Sequence, residues 1–215
     1  MKALLIDLGR MEYGRVLEYQ RDAAARRARG ETPDALILVE HDPVITLGKK
    51  TTPENFRPQS VPVFSVERGG DATFHGPGQL VGYPIVRLED HDVRRHVLTI
   101  ESAVAGTVTG FGIECGLVEG HPGVWSGGKK LCSVGVAVTS WVTYHGFALN
   151  VNTDMSYFDL IRPCGLDPKT MTSMKKLAGH SFPLDEVKDK LVEEYEKASG
   201  LVLERAEPVL PTSIK

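Results

Sequence analysis

Apolar residues recur along this chain in two rhythms. Compact runs rich in β-branched and aliphatic residues predict strands over 3–8, 35–40, 44–47, 61–66 and 80–88. Pro84 lies inside the last of these, which predicts an edge or bulged strand, because proline cannot donate to a ladder. A helical period appears over 13–28, with Val16, Leu17, Ala24 and Ala25 on its apolar side. Arg21, Asp22, Arg26, Arg27 and Arg29 are expected in solvent there, and Gly30 closes the helix. Val97, Ile100, Val104 and Val108 predict a second helix over 93–111. Short strands over 117–119 and at Val124-Trp125 are split by the turn Gly120-His121-Pro122-Gly123. Longer strands over 130–139 and 141–151 read as a hairpin, with Val134, Val136 and Val138 alternating and Ser140 at the turn. Leu184, Val187, Leu191 and Tyr195 stripe a closing helix over 184–198, and 201–203 adds a short strand. Strands arrive in runs with helices interspersed irregularly, without a βαβα rhythm. That predicts an α+β fold with a mixed, mostly antiparallel sheet covered by helices.

A chain of 215 residues, 41% of them hydrophobic, can bury one substantial core, and no linker divides it, so a single domain over 1–215 is expected. With 25 basic against 28 acidic residues the net charge is −3, which gives no reason to expect nucleic-acid binding. Cys115, Cys132 and Cys164 are an odd set without CxxC spacing, which argues against a zinc ribbon or a disulfide framework and for a reducing cytoplasm. The apolar start is too short for a signal peptide and is interrupted by Asp7, and no run is long enough to span a membrane.

Four segments carry candidate chemistry. Arg68-Gly69-Gly70-Asp71-Ala72-Thr73-Phe74-His75-Gly76-Pro77-Gly78-Gln79 is dense in glycine, which lets backbone approach a ligand; a tight surface turn is the alternative reading. Gly123 to Lys130 matches a phosphate-binding loop except at its final position, but a strand, not a helix, follows it; a hairpin with two solvated lysines is the bland alternative. His145-Gly146-Phe147-Ala148-Leu149-Asn150-Val151-Asn152 sets a histidine beside an apolar run, where His145 is either a proton shuttle or a satisfied strand residue. Pro163-Cys164-Gly165 places a cysteine in a loop; beside an ammonium such a thiol ionises more readily and becomes a nucleophile. Lys129 and Lys130 supply candidate ammonium groups, while His145 or His75 would make a rival Cys/His pair.

Read in order, five blocks resemble the lipoyl(octanoyl) transferase family: Glu40 to Gly48, Arg68 to Gln79, Gly128-Lys129-Lys130-Leu131-Cys132-Ser133-Val134-Gly135, His145 to Asn152, and Pro163-Cys164-Gly165. The resemblance implies a fold like that of biotin and lipoate protein ligases. It implies transfer of an octanoyl group from acyl carrier protein, through a cysteine thioester, to a lysine of a lipoyl domain in lipoate biosynthesis. The acceptors would be acyltransferase subunits of 2-oxoacid dehydrogenases and the glycine cleavage H protein. Cys164 then matches the nucleophile and Lys130 its partner, with His145 in possible support. Arg68, Gly69, Gly70, Asp71, Ala72, Thr73, Phe74 and His75, together with Ser133, Val134, Gly135, Gly146, Phe147 and Ala148, match the acyl-binding segments, Asp71 and Ala72 at positions the family varies. Val136 and Leu149 join Val134 and Phe147 as candidate linings for the chain. No cofactor, metal, nucleic acid or membrane is expected. Two rivals remain: a ligase of the same fold that activates a free acid with ATP, and a non-catalytic acyl or carrier-binding module.

Overall fold

The computed structural model describes residues 1–52, 61–161 and 168–209. Strands β1 (Lys2–Met11), β2 (Ala35–His41), β6 (Gln79–Ile85), β7 (Gly116–Leu117), β8 (Gly123–Ser126), β9 (Lys129–Thr139), β10 (Val142–Asn150) and β11 (Val202–Arg205) form one sheet in the order β11-β1-β2-β6-β10-β9-β8-β7. The pairs of β1 with β11 and β2 are parallel; all others are antiparallel. Strands β3 (Val44–Leu47), β4 (Val63–Ser65) and β5 (Thr73–His75) form a second, three-stranded sheet. The fold is α+β, as expected.

Helix α1 (Tyr13–Ala28) covers one face of the large sheet, while α2 (Val93–Gly110) and α4 (Leu184–Ser199) cover the other. Strand β2 shows why its sequence is continuously apolar: Ile37 and Val39 pack towards α1, and Leu36 and Leu38 towards α2 and α4. The third cluster joins Ile45, Ala72 and Phe74 of the small sheet region to Phe158, Ile161 and Met171. A short helix α3 (Met174–Ala178) follows, which has no strong periodic signal because it is barely one turn.

Several expectations need correction. Arg27 does not stay in solvent: its Nε donates to Asp34 at 2.6 Å, with both side chains largely buried. The strand expected over 61–66 is shorter and belongs to the small sheet, and β5 was missed within the glycine-rich segment. Pro84 lies on a central strand, not an edge, between β2 and β10. The sheet tolerates it because the regular β6–β10 ladder stops at Gly82, opposite Phe147. Beyond that point His145 takes φ +57°, and the Thr143 hydroxyl donates to the Pro84 carbonyl at 2.8 Å and accepts from Val86 N–H at 3.0 Å. The Thr143 hydroxyl thus satisfies the Pro84 carbonyl and the Val86 N–H where the regular ladder is interrupted.

The same place demands glycine. A Cβ on Gly146 would stand 2.2 Å from the Gly82 carbonyl oxygen and 2.7 Å from Pro84 Cδ. Backbone cannot yield as a side-chain tip can, so Gly146→Ala is expected to lower stability by about 2 kcal/mol or more. A urea midpoint equal to wild type would contradict this packing.

Burial also holds His41 and His96 neutral, each lowered from 6.5 to about 4, although Asp34 pulls His96 upward. The unfolded chain therefore binds more protons between these values. Their contribution is complete above pH 6.5 and is lost as pH falls towards 4, at up to ~1.4 kcal/mol per pH unit for each histidine. In His96→Leu the fall of the melting temperature between pH 6.5 and 4.5 should be shallower; an identical slope would exclude His96 as a contributor.

Candidate functional site

A cleft with about 580 Å³ of free space, its open mouth included, lies where α1, the glycine-rich segment and the β9–β10 hairpin meet. Its lining unites segments far apart in sequence. Arg68 to Thr73 and His75, Lys130, Ser133 to Gly135 and His145 to Ala148 all contribute, together with Tyr13 and Tyr83. Of the expected site residues, Phe74 does not line it. Strand alternation turns Phe74 the other way, into the cluster where its ring stacks on Tyr157 at 4.5 Å. Val136 and Leu149 are also absent from the wall; Leu149 lies in the core beneath. Cys164 lies outside the described residues.

The glycines explain the cleft's shape. Gly69 N–H donates to the Val136 carbonyl at 3.0 Å, so the glycine-rich segment lies directly on β9. A Cβ on Gly135 would meet Gly69 O at 3.0 Å, and one on Gly48 would meet Gly70 O at 2.5 Å. Arg68 is buried beneath this contact, donating from Nη2 to Thr46 O and Oγ1 at 2.7 and 2.9 Å and from Nη1 to Gly69 O at 3.1 Å. Gly127 and Gly128, at φ +54° and +73°, make the tight turn between β8 and β9. The near match to a phosphate-binding loop is therefore a hairpin, with no helix N-terminus to hold phosphate.

Lys130 projects from the start of β9 and is only 5% exposed. Its Nζ lies 5.4 Å from the centre of the Trp125 ring, a geometry that favours a cation. Glu101 of α2 lies within electrostatic reach; burial raises its pKa, while the Gly123 N–H, donating at 2.6 Å, and Lys130 pull it down. Glu101 was not anticipated. Its signal was legible, because it sits four residues after Val97 and three before Val104, a charge on the apolar stripe. Nothing in the sequence distinguished Tyr13 or Tyr83.

The floor is neutral and aromatic. His41 Nδ1 donates to Met11 O at 2.9 Å, which leaves Nε2 to accept from the Tyr83 hydroxyl at 2.8 Å. Tyr13 stacks on His75 at 5.8 Å. Burial first, then the Arg68 charge, lower His145 to about 4, against the opposing pull of Glu67, whose carboxylate is 3.6 Å from Nε2. Burial likewise pushes His75 well below its ordinary range. His75 Nδ1 donates to Gln79 Oε1 at 2.8 Å, Gln79 Nε2 donates to Asn150 Oδ1 at 2.9 Å, and Asn150 Nδ2 donates to Thr172 O at 3.0 Å. Thr172 N–H then donates to Lys130 O at 3.0 Å, so one polar chain links the floor to the strand that carries the lysine.

The two described cysteines do not suit a nucleophile. Burial raises the Cys132 thiol strongly despite Lys130, and raises Cys115 as well. Among the described residues no helix is long and apolar enough to cross a membrane.

Comparison with known proteins agrees with the geometry. The model of the lipoyl protein ligase A/B catalytic domain matches residues 12–196. The octanoyltransferase of Rubrobacter xylanophilus is 42% identical over 201 residues, covering 89% of this chain and 91% of the relative. That of Solibacter usitatus is 45% identical over 200 residues, covering 89% and 90%. In fold, the chain is similar to the bipartite lipoate protein ligase of Thermoplasma acidophilum, with a TM-score of 0.79 at 17% identity over 97% of this chain and 88% of that one. It is also similar to the biotin protein ligase of Aquifex aeolicus, with a TM-score of 0.53 at 12% identity over 92% and 68%. On this likeness across nearly its whole length, the chain belongs to the lipoyl(octanoyl) transferase family, a family of acyltransferases.

Proposed function

We propose that residues 1–215 form one catalytic domain that moves an octanoyl group from acyl carrier protein, through a thioester on Cys164, to a lysine amine of a lipoyl domain. The observation that carries this reading is the cleft itself. It gathers Lys130 with the Arg68–His75 segment (Phe74 excepted) and the Ser133–Gly135 and Gly146–Ala148 segments that the family resemblance singles out for acyl binding. Free thiols at Cys115 and Cys132 suit a reducing cytoplasm.

The chemistry follows in two displacements. The Cys164 thiolate attacks the donor thioester carbonyl; the new S–C bond forms, the donor's C–S bond breaks, and the departing thiolate takes a proton from the Lys130 ammonium. One thioester replaces another, so the step is nearly isoenergetic and needs no nucleotide. The acceptor amine then attacks the acyl-enzyme, an amide forms, and Lys130 receives the amine's proton as Cys164 leaves as thiolate. His145 and His75, neutral at working pH, add no positive charge that would oppose an incoming ammonium. Val134, Phe147 and Ala148 offer apolar wall to the chain, at ~0.8 kcal/mol per buried methylene.

Mixing the protein with octanoyl carrier protein should add one octanoyl mass to Cys164, and Cys164→Ser should abolish both adduct and turnover. Full activity in Cys164→Ala, or an acyl-adenylate formed from octanoate and ATP instead, would overturn the transferase. In Lys130→Ala the pH midpoint of Cys164 alkylation should move upward, towards the ~8.5 of a free thiol. A midpoint unmoved by this substitution would remove Lys130 from its assigned role.

A further inference from the structure

A thioester has two arms, and the site has two ways out. Beside the cleft runs a second groove with about 1020 Å³ of free space, its open side included. The two share Gly69, Gly70, Asp71, Lys130, Val134 and Gly135, so they meet at the lysine. From there they diverge. The cleft continues over Tyr13, Tyr83 and the β10 segment Gly146 to Ala148, whereas the groove continues between α2 and the turn after β7, over Val136, Val97 and Pro122. Lys50 and His121 stand along its wall. The Gly69 N–H donates to Val136 O and joins the glycine-rich segment to β9 along the border that the two passages share.

On the reading that the cleft holds the acyl chain, we infer that this groove holds the other arm of the donor: the long, amide-bearing thiol chain that leaves when Cys164 is acylated. The geometry of displacement requires such a place. With the carbonyl carbon at Lys130 and the acyl chain in one passage, the sulfur substituent must point away from it, along the second passage. Val97, Pro122 and Val136 give the methylenes of the arm an apolar bed. Lys50 suits an anionic group at its far end, and His121 offers a hydrogen-bonding edge to its amides. The groove belongs to the donor's thiol side, so it sets recognition of the carrier and not of the fatty chain.

The test plugs the groove from its outer walls, away from the acid-base machinery, with Val97→Trp and, independently, Pro122→Trp. Val97 is half-buried and Pro122 exposed, so neither replacement enters the core. Acylation of Cys164 is followed by mass spectrometry with two octanoyl thioesters, one of coenzyme A and one of N-acetylcysteamine, which keeps only the short end of the arm. The expected result is a fall in kcat/KM of about tenfold for the coenzyme A thioester and less than about twofold for the short one. Equal losses on both thioesters, or no loss on either, would overturn the assignment. If the wild-type protein acquires no octanoyl group from either thioester or from octanoyl carrier protein, the transferase reading fails and the groove's occupant goes with it; acylation by the carrier protein but by neither small thioester would overturn the groove's assignment alone.

Discussion

An amine carried on a long side chain into a nearly dry site is the constraint on which the rest of this molecule turns. Burying a cationic group is costly unless neighbours stand in for water. Among the described residues, Lys130 has the face of Trp125 and the field of Glu101 for this purpose. Each imposes its own demand. Trp125 lies on β8, so the β8–β9 turn must be tight, and it is made by two glycines with positive φ. Glu101 must occupy the apolar side of α2, where the Gly123 N–H holds it. Gly123 in turn can carry no side chain, since a Cβ would stand 2.2 Å from Cys132 O and 2.7 Å from Lys130 Cε. The lysine's surroundings therefore fix backbone conformations on β8, β9 and the helix behind them.

The opposite wall obeys the opposite rule. Histidines are gathered there with tyrosines, and burial keeps them uncharged. The Arg68 guanidinium adds to this for His75 and His145, as a second positive charge nearby would be unfavourable. Beside this wall the regular β6–β10 ladder is interrupted, with His145 at positive φ and Thr143 bonded to Pro84, while β10 keeps its pairing with β9. A proline in a central strand and a histidine in a left-handed conformation are each unfavourable alone. Both occur here side by side, and the His145 ring lines the cleft.

Much of this was legible in the sequence, and the failures have physical reasons. Helix α1 and the β9–β10 hairpin were readable because long amphipathic segments and alternating valines leave strong periodic signals. Strand β5 was not, because three residues among glycines carry no period, and its pairing with β3 is non-local. Pro84 misled because the rule against proline in central strands assumes a continuous ladder on both sides, and here the regular β6–β10 ladder is interrupted beside it. Sequence blocks named nearly every residue of the cleft wall, yet Phe74 was included with them although alternation puts it on the far side of its strand. Tyr13 and Tyr83 were invisible, since aromatic residues at a helix start or in a strand ordinarily belong to the core.

The packing of the third cluster has a further consequence. Ile161 and Met171 flank the stretch that contains Cys164, and both are buried in the same small apolar group, with Met171 bridged to the backbone of Lys130. This group is separate from the two larger clusters that hold the eight-stranded sheet together. Small packing units open before large ones do. On the proposal that Cys164 carries the acyl group, mild stress would cost the molecule its competence while its main architecture still stood, so a far-ultraviolet spectrum of native appearance is no certificate of a working protein.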